Sequence, residues 1–154
     1  MQSTRNQSSV IDSLYRISSI AGSTEDPTEA LRSILDEMNA VLEPTSASIS
    51  LINPDSNRLN IEVSSGLPAQ SQDLDLRLGE GITGWVALHG KLLLVRDVAT
   101  ESRYVQANPA TRSEMAVPME EQGIVIGVVN VDSERVEAFD GEDLKILTLL
   151  TNEA

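Results

Sequence analysis

The chain has 154 residues, 40% of them hydrophobic, with 11 Lys and Arg against 24 Asp and Glu and a formal net charge of −13. That suits one domain with one core and argues against nucleic acid as a partner, because phosphate binding draws on clustered Lys and Arg. No apolar run approaches the ~20 residues of a membrane-spanning helix; the absence of cysteine and a single histidine exclude a disulfide framework, a thiolate nucleophile and a histidine-rich metal site.

Residues 1–9 are polar and carry no secretory pattern, so a cytoplasmic, soluble protein is expected, with no cofactor. Val10, Ile11, Leu14, Ile17 and Ile20 or Ala21 recur at helical spacing, and 1–22 reads as an N-terminal helix. Its narrow apolar stripe either pairs with its copy in a second chain, making a homodimer, or packs on the chain's own sheet. Residues 23–154 read as the main domain. Asp26-Pro27-Thr28-Glu29 is a helix start, with Asp26 as cap and Pro27 at the first helical position. Leu31, Ile34, Leu35, Met38, Val41 and Leu42 form one apolar face that must lie on a sheet. Pro44 ends this helix.

Ala47–Ile52 is the first strand. Leu59, Ile61 and Val63 alternate along the second, across the turn Asn53-Pro54-Asp55-Ser56-Asn57. This hairpin is expected to keep one wet face. A third strand carries Leu74, Leu76 and Leu78, and a fourth runs through Leu92–Val95 to Asp97. Between them lies Gly79-Glu80-Gly81-Ile82-Thr83-Gly84-Trp85-Val86-Ala87-Leu88-His89-Gly90. Glycines at 79 and 81 let the backbone turn out of the sheet, and Gly90 closes a short helix as a left-handed cap. A helix lifted off a sheet by hinges roofs a cavity, which is where a small molecule would sit.

Residues 98–112 form the least regular stretch, a loop long enough to be functional or mobile. Met115–Met119 and Ile124–Val131 pair as a hairpin across Glu120-Glu121-Gln122-Gly123. Asp140 caps a final helix starting at about 141, with Leu144, Leu147 and Leu150 inward. The helical pattern still runs at Ala154, and the chain is expected to be a fragment of a longer protein or a stand-alone regulator.

No catalytic constellation stands out. His89 has no nucleophile beside it and reads as a surface histidine near a helix end. Gly79 to Gly84 spells GxGxxG, but no strand–helix–strand unit with a later ribose-binding acid follows, so it reads as a backbone hinge. Trp85 either stacks on a ligand ring or fills the space between helix and sheet. Arg103, Tyr104 and Arg112 are ligand candidates on the long loop. Arg112 either forks onto a carboxylate, phosphate or nitrate or pairs with Asp97 or Glu101. Glu114 starts one central strand and Asp132 ends its hairpin partner. Two carboxylates there suit an amine or guanidine, or else hold the long loop through Arg103 or Arg112.

Four blocks in order resemble the GAF domain, a sensory and ligand-binding module related in fold to PAS domains: Gly81-Ile82-Thr83-Gly84-Trp85-Val86, Ser113–Met119, Ile126–Ser133 and Phe139-Asp140-Gly141-Glu142-Asp143. The resemblance runs from about Asp26 to Ala154. Free methionine-R-sulfoxide reductases are similar at Gly81–Gly84, Ser113-Glu114 and Gly127–Ser133, and the resemblance implies substrate binding by acids matching Glu114 and Asp132. Their chemistry needs cysteines, and Thr83 stands where one is expected, so reductase activity by that route is excluded, as is covalent bilin attachment. Of the cyclic-nucleotide signature, Asn130, Phe139 and Asp143 are present, while Val131 and Leu144 replace its Lys and Glu.

The expected fold is α+β: a largely antiparallel sheet of five or six strands, with the helix 27–43 and the terminal helices on one face. The insert 81–90 and the loop 98–112 cover the other. The expected function is a non-catalytic sensor, not an enzyme, that binds an unidentified small polar ligand and relays its presence through the terminal helices of a homodimer to a downstream output domain. Trp85, Asp97, Tyr104, Arg112, Glu114, Asn130 and Asp132 make up the expected site. The alternatives are a ligand-free interaction or dimerisation module and a cyclic-nucleotide-binding domain.

Overall fold

Asp26 opens the first helix, α1 (Pro27–Leu42). Its Oδ1 accepts from the N–H groups of Thr28 and Glu29 at 3.0 and 3.4 Å, and Pro27 occupies a position where no N–H is needed. The helix closes at Glu43, in left-handed conformation, whose N–H donates to Asn39 O. Ile34, Leu35, Met38, Val41 and Leu42 are its buried residues, one face at helical spacing.

The computed structural model describes residues 26–67, 75–102 and 110–153. The expected helix over 1–22, and Arg103 and Tyr104, lie outside the described residues. Strands β1 (Ser46–Asn53), β2 (Arg58–Ser65), β3 (Asp75–Arg77), β4 (Leu93–Val95), β5 (Ser113–Glu121) and β6 (Ile124–Ser133) make one sheet in the order β3-β2-β1-β6-β5-β4. Every neighbouring pair is antiparallel. Helix α2 (Gly81–His89) lies between β3 and β4, a 3-10 turn (Val98–Thr100) follows β4, and α3 (Gly141–Glu153) follows β6. The fold is thus α+β with a six-stranded antiparallel sheet. Leu78 and Leu92, expected in strands, fall outside β3 and β4.

The sheet has two unlike faces. On one, Ala47, Ile49, Val63, Met115, Val117, Met119, Val129 and Val131 pack with the buried stripe of α1 and with Ile146, Leu147 and Leu150 of α3. On the other, Ile82, Val86 and Ala87 of α2 pack on Ala116, Val128, Val95, Val98 and Leu59. Asp140 and Asp143 start α3 reciprocally. Asp143 N–H donates to Asp140 Oδ1 at 2.9 Å and Asp140 N–H to Asp143 Oδ2 at 3.0 Å, which meets two amide donors that a helix start leaves unpaired.

The expected alternation in β2 is broken. Val63 pairs with Ile49 and Ile61 with Ser50, so Glu62 is an extra residue at the register shift. Such a bulge turns side chains on its two sides to opposite faces. Val63 therefore joins the α1 and α3 side, while Leu59 joins the α2 side.

Gly81 and Gly90 frame α2 with φ of 69° and 66°, and the Gly90 N–H closes the helix on Val86 O at 2.8 Å. Gly84 has a different role. A Cβ there would stand 2.5 Å from Arg77 O, and Gly84 O accepts from the Gly79 N–H at 2.7 Å. Helix α2 is thus seated against the turn that leaves β3.

Candidate functional site

Antiparallel pairing sets Ser46 opposite Asp132 and Asp132 opposite Glu114; one step along, Ser48 lies opposite Asn130 and Asn130 opposite Ala116. These residues share the face toward α2, since alternate positions of a strand point the same way. Helix α2 covers Ala116 and Val128 and leaves the polar row beside it. The result is a cavity of about 50 Å³ lined by Ser48 and Ser50, by Glu114, Asn130, Asp132 and Thr111, and by Gly81, Ile82 and Thr83, with Leu59, Ile61, Leu67 and Leu76 as its apolar wall. At ~10–15 Å³ per water this space takes a few waters or one small polar head group.

Glu114, Asn130 and Asp132 are 7, 9 and 5% exposed. Burial, with the Asp132 charge second, lifts the Glu114 carboxyl from 4.5 to about 8, against a hydrogen bond from Asn130 that lowers it. Burial also lifts Asp132 from 3.8 to about 6, opposed by hydrogen bonds from the Ser46 hydroxyl and N–H and from Thr111, with the Glu134 charge adding to the rise. Both carboxyls therefore hold a proton to higher pH than free ones do, and Glu114 is the later of the two to lose it. The Asn130 amide donates to Glu114, and its Oδ1 is buried without a partner. A buried acceptor left unmatched costs ~1–3 kcal/mol. The cavity wall thus combines one negative charge with an unused acceptor, and no Lys, Arg or His lines it among the described residues. That arrangement favours a ligand that donates N–H groups or carries positive charge.

Of the expected site residues, Glu114, Asn130 and Asp132 come together. Trp85 is half-buried against the α2 side of the core and stacks on His89, with ring centroids 4.4 Å apart; it does not line the cavity. His89 Nδ1 donates to Trp85 O at 2.9 Å. Asp97 starts the 3-10 turn, its Oδ1 accepting from Ala99 N–H at 3.0 Å. The Arg112 side chain is exposed and its Nη1 donates to Thr111 O at 3.2 Å. Tyr104 lies outside the described residues. Of the cyclic-nucleotide signature only Asn130 reaches the cavity; Phe139 is buried on the α1 and α3 side and Asp143 caps α3.

Ser46, Ser48, Ser50 and Thr111 were missed as site residues, yet all four are buried. The signal was the run Ser46-Ala47-Ser48-Ile49-Ser50, whose polar positions were assigned to a wet face. That face is the cavity wall.

The fold is shared with solved structures over nearly its whole length. The free methionine-R-sulfoxide reductase of Neisseria meningitidis, in complex with its substrate, superposes with a TM-score of 0.86 at 23% identity, covering 99% of this chain and 90% of that one. A GAF domain from an Acinetobacter phosphoenolpyruvate-protein phosphotransferase gives 0.84 at 21% identity, covering 97% of this chain and 91% of that one. A reductase of Staphylococcus aureus also gives 0.84, at 19% identity, covering 99% and 96%. At such identities the likeness is one of fold. It corrects the expectation that the chain is not an enzyme: enzymes are built on this same architecture, and catalysis is open to it. With no cysteine in the chain, a thiolate is not among the groups that a reaction here could use.

Among curated proteins, the Nif-specific regulatory protein of Azospirillum lipoferum is 28% identical over 90% of this chain and 24% of its own length. GAF domain-containing protein A of Dictyostelium discoideum is 36% identical over 47% of this chain and 46% of its own length. The chain thus spans about a quarter of the regulatory proteins it matches. Among the described residues no helix is long and apolar enough to cross a membrane. A sheet of this order, a glycine-framed helix over one face, and a family model described as a GAF domain that matches residues 24–154 agree: the chain belongs to the GAF domain family.

Proposed function

We propose that this GAF domain is a sensor that takes a small polar ligand with a cationic or N–H-rich head group into the cavity between α2 and the sheet. It then relays occupancy through the terminal helices of a homodimer to an output domain. One observation carries the ligand half of this reading: the Asn130 Oδ1 is buried and unmatched beside two buried carboxyls, a cost that a donor ligand would remove. The relay half rests on the sequence stripe of Val10, Leu14 and Ile17 and on the likeness to Nif-specific regulatory proteins. Relay is a two-state population shift, so the ligand must favour one state.

Native mass spectrometry on the purified, undialysed protein tests this. The expected result is a dimer carrying a reproducible small mass that Glu114→Gln or Asp132→Asn weakens. A dimer that stays clean after incubation with amines, amino acids, nucleotides and nitrate would replace the sensor with an interaction module. A monomer would remove the relay.

A second reading follows from the pair of carboxyls. A Glu114 that loses its proton later than the Asp132 beside it is the arrangement that general acid–base catalysis uses, two acids whose environments set their titrations apart. A bound mass that converts with time, and that Glu114→Gln holds unconverted, would favour this reading over sensing.

A further inference from the structure

We infer that a cationic ligand entering this cavity displaces one proton from the Glu114 and Asp132 pair, so that the site reads ligand and pH together. This rests on the ligand-binding reading above and adds a regulation of the same site.

The geometry sets the argument. Glu114 and Asp132 are direct partners in the β5 and β6 register, which holds their Cβ atoms ~4.5–5.5 Å apart on one face. Both are buried and both line the same cavity. Around them, α2 contributes Thr83, β1 contributes Ser48 and Ser50, and the chain before β5 contributes Thr111. Strands β2 and β3 contribute Leu59, Ile61 and Leu76. Glu134, also negative and next along the chain from β6, adds its charge to the rise of Asp132. Among the described residues nothing positive lines this pocket. Two buried carboxylates this close cannot both be ionised at neutral pH; they share a proton. The upward shifts of both groups, Glu114 to about 8 and Asp132 to about 6, agree with that order of titration.

A ligand nitrogen that donates to Asn130 Oδ1 stands at the residue that also holds Glu114. Its charge stabilises a second carboxylate, and the proton leaves Glu114 for solvent. No covalent bond changes: cation and singly charged pair go to cation and doubly charged pair, with one proton released. Affinity should rise about tenfold per pH unit while a proton is released, and level off above the free-site value near 8.

The test uses the whole chain with methylammonium chloride as the probe. Carboxyl carbon NMR first follows Glu114 against pH without the probe, then with it. Calorimetry in phosphate and in MOPS buffer, neither of them a primary ammonium ion, counts protons at neutral pH from the difference in heats. Late titration of Glu114 in the free protein, moved to lower pH by methylammonium, with close to one proton released, supports the inference. Glu114→Gln should bind with no proton released. Binding by the unaltered chain without proton release overturns the coupling and leaves the ligand reading standing. Ordinary, acidic titration of Glu114 in the free protein does the same without any variant. No heat and no carboxyl shift with methylammonium, ammonium or guanidinium overturns both.

Discussion

The two faces of one sheet have been finished in opposite ways. Toward α1 and α3 the strands present valines, methionines and isoleucine that meet leucines of two helices in one contiguous core. Toward α2 the same strands present Ser46, Ser48, Glu114, Asn130 and Asp132, and the helix covers only part of them. Burial is similar on both sides, yet one side is buried by contact and the other encloses space. The first kind stabilises the fold. The second leaves polar groups whose needs are met from outside the fold, and it is where binding belongs.

The largest expected effect breaks the apolar face. Leu147 is fully buried between α3 and the sheet, and Leu147→Ala should cost ~2–5 kcal/mol in urea unfolding. Ser48→Ala, on the cavity face, should cost well under half of that if the contrast between the faces holds. Next is the seat of α2. Gly to Ala inside an exposed helix normally gains ~1 kcal/mol, but Gly84→Ala puts a methyl group 2.5 Å from Arg77 O. A net loss of ~1–3 kcal/mol is expected; a gain would mean that α2 is not held against that turn.

A third experiment sharpens the polar face. Glu114 titrates later folded than unfolded, from 4.5 up to about 8. The unfolded chain therefore loses this proton first, and the contribution, full below 4.5, is lost as pH rises through about 8. Asp132, lifted from 3.8 to about 6, acts in the same direction. Thermal midpoints should fall between acidic and mildly alkaline pH, and Glu114→Gln should flatten that decline and melt later at the alkaline end. An unchanged slope would remove Glu114 as its source. The smallest effect lies at the far end of the apolar face. Asp140→Ala removes half of the reciprocal cap of α3 and should cost ~1 kcal/mol by denaturant midpoint.

Much of the fold could be read from spacing. Asp26, Pro27 and the stripe from Ile34 to Leu42 locate α1, and Gly81 and Gly90 locate α2, because caps and hinges are local chemistry. The cavity was less legible. Periodicity says that Ser46, Ser48 and Ser50 turn away from the apolar core, but not whether another element closes over them. Trp85, conspicuous as the only tryptophan, packs on His89 instead, since a helix's rotation over a sheet is set by packing and not by composition. Glu114 and Asp132 were found because strand pairing across a short turn fixes who faces whom. The expectation of a domain without catalysis came from the lack of a catalytic constellation around His89 and, for the reductase route, from missing cysteines; missing residues exclude a mechanism without excluding a fold's other chemistries.

The extra residue in β2 has an effect out of proportion to its size. With Glu62 opposite nothing, Leu59 and Ile61 stand toward α2 and form the cavity's apolar wall. Pair the strands without the bulge, Glu62 opposite Ser50 and Val63 still opposite Ile49: the parity of everything before it reverses, and Glu62 and Asn60 take places at the cavity. The wall's character is thus written in the register of two strands, not in the identities of their residues. Two domains of this architecture with nearly identical composition would offer their ligands opposite solvents, one oily and one wet, on the strength of a single bulge.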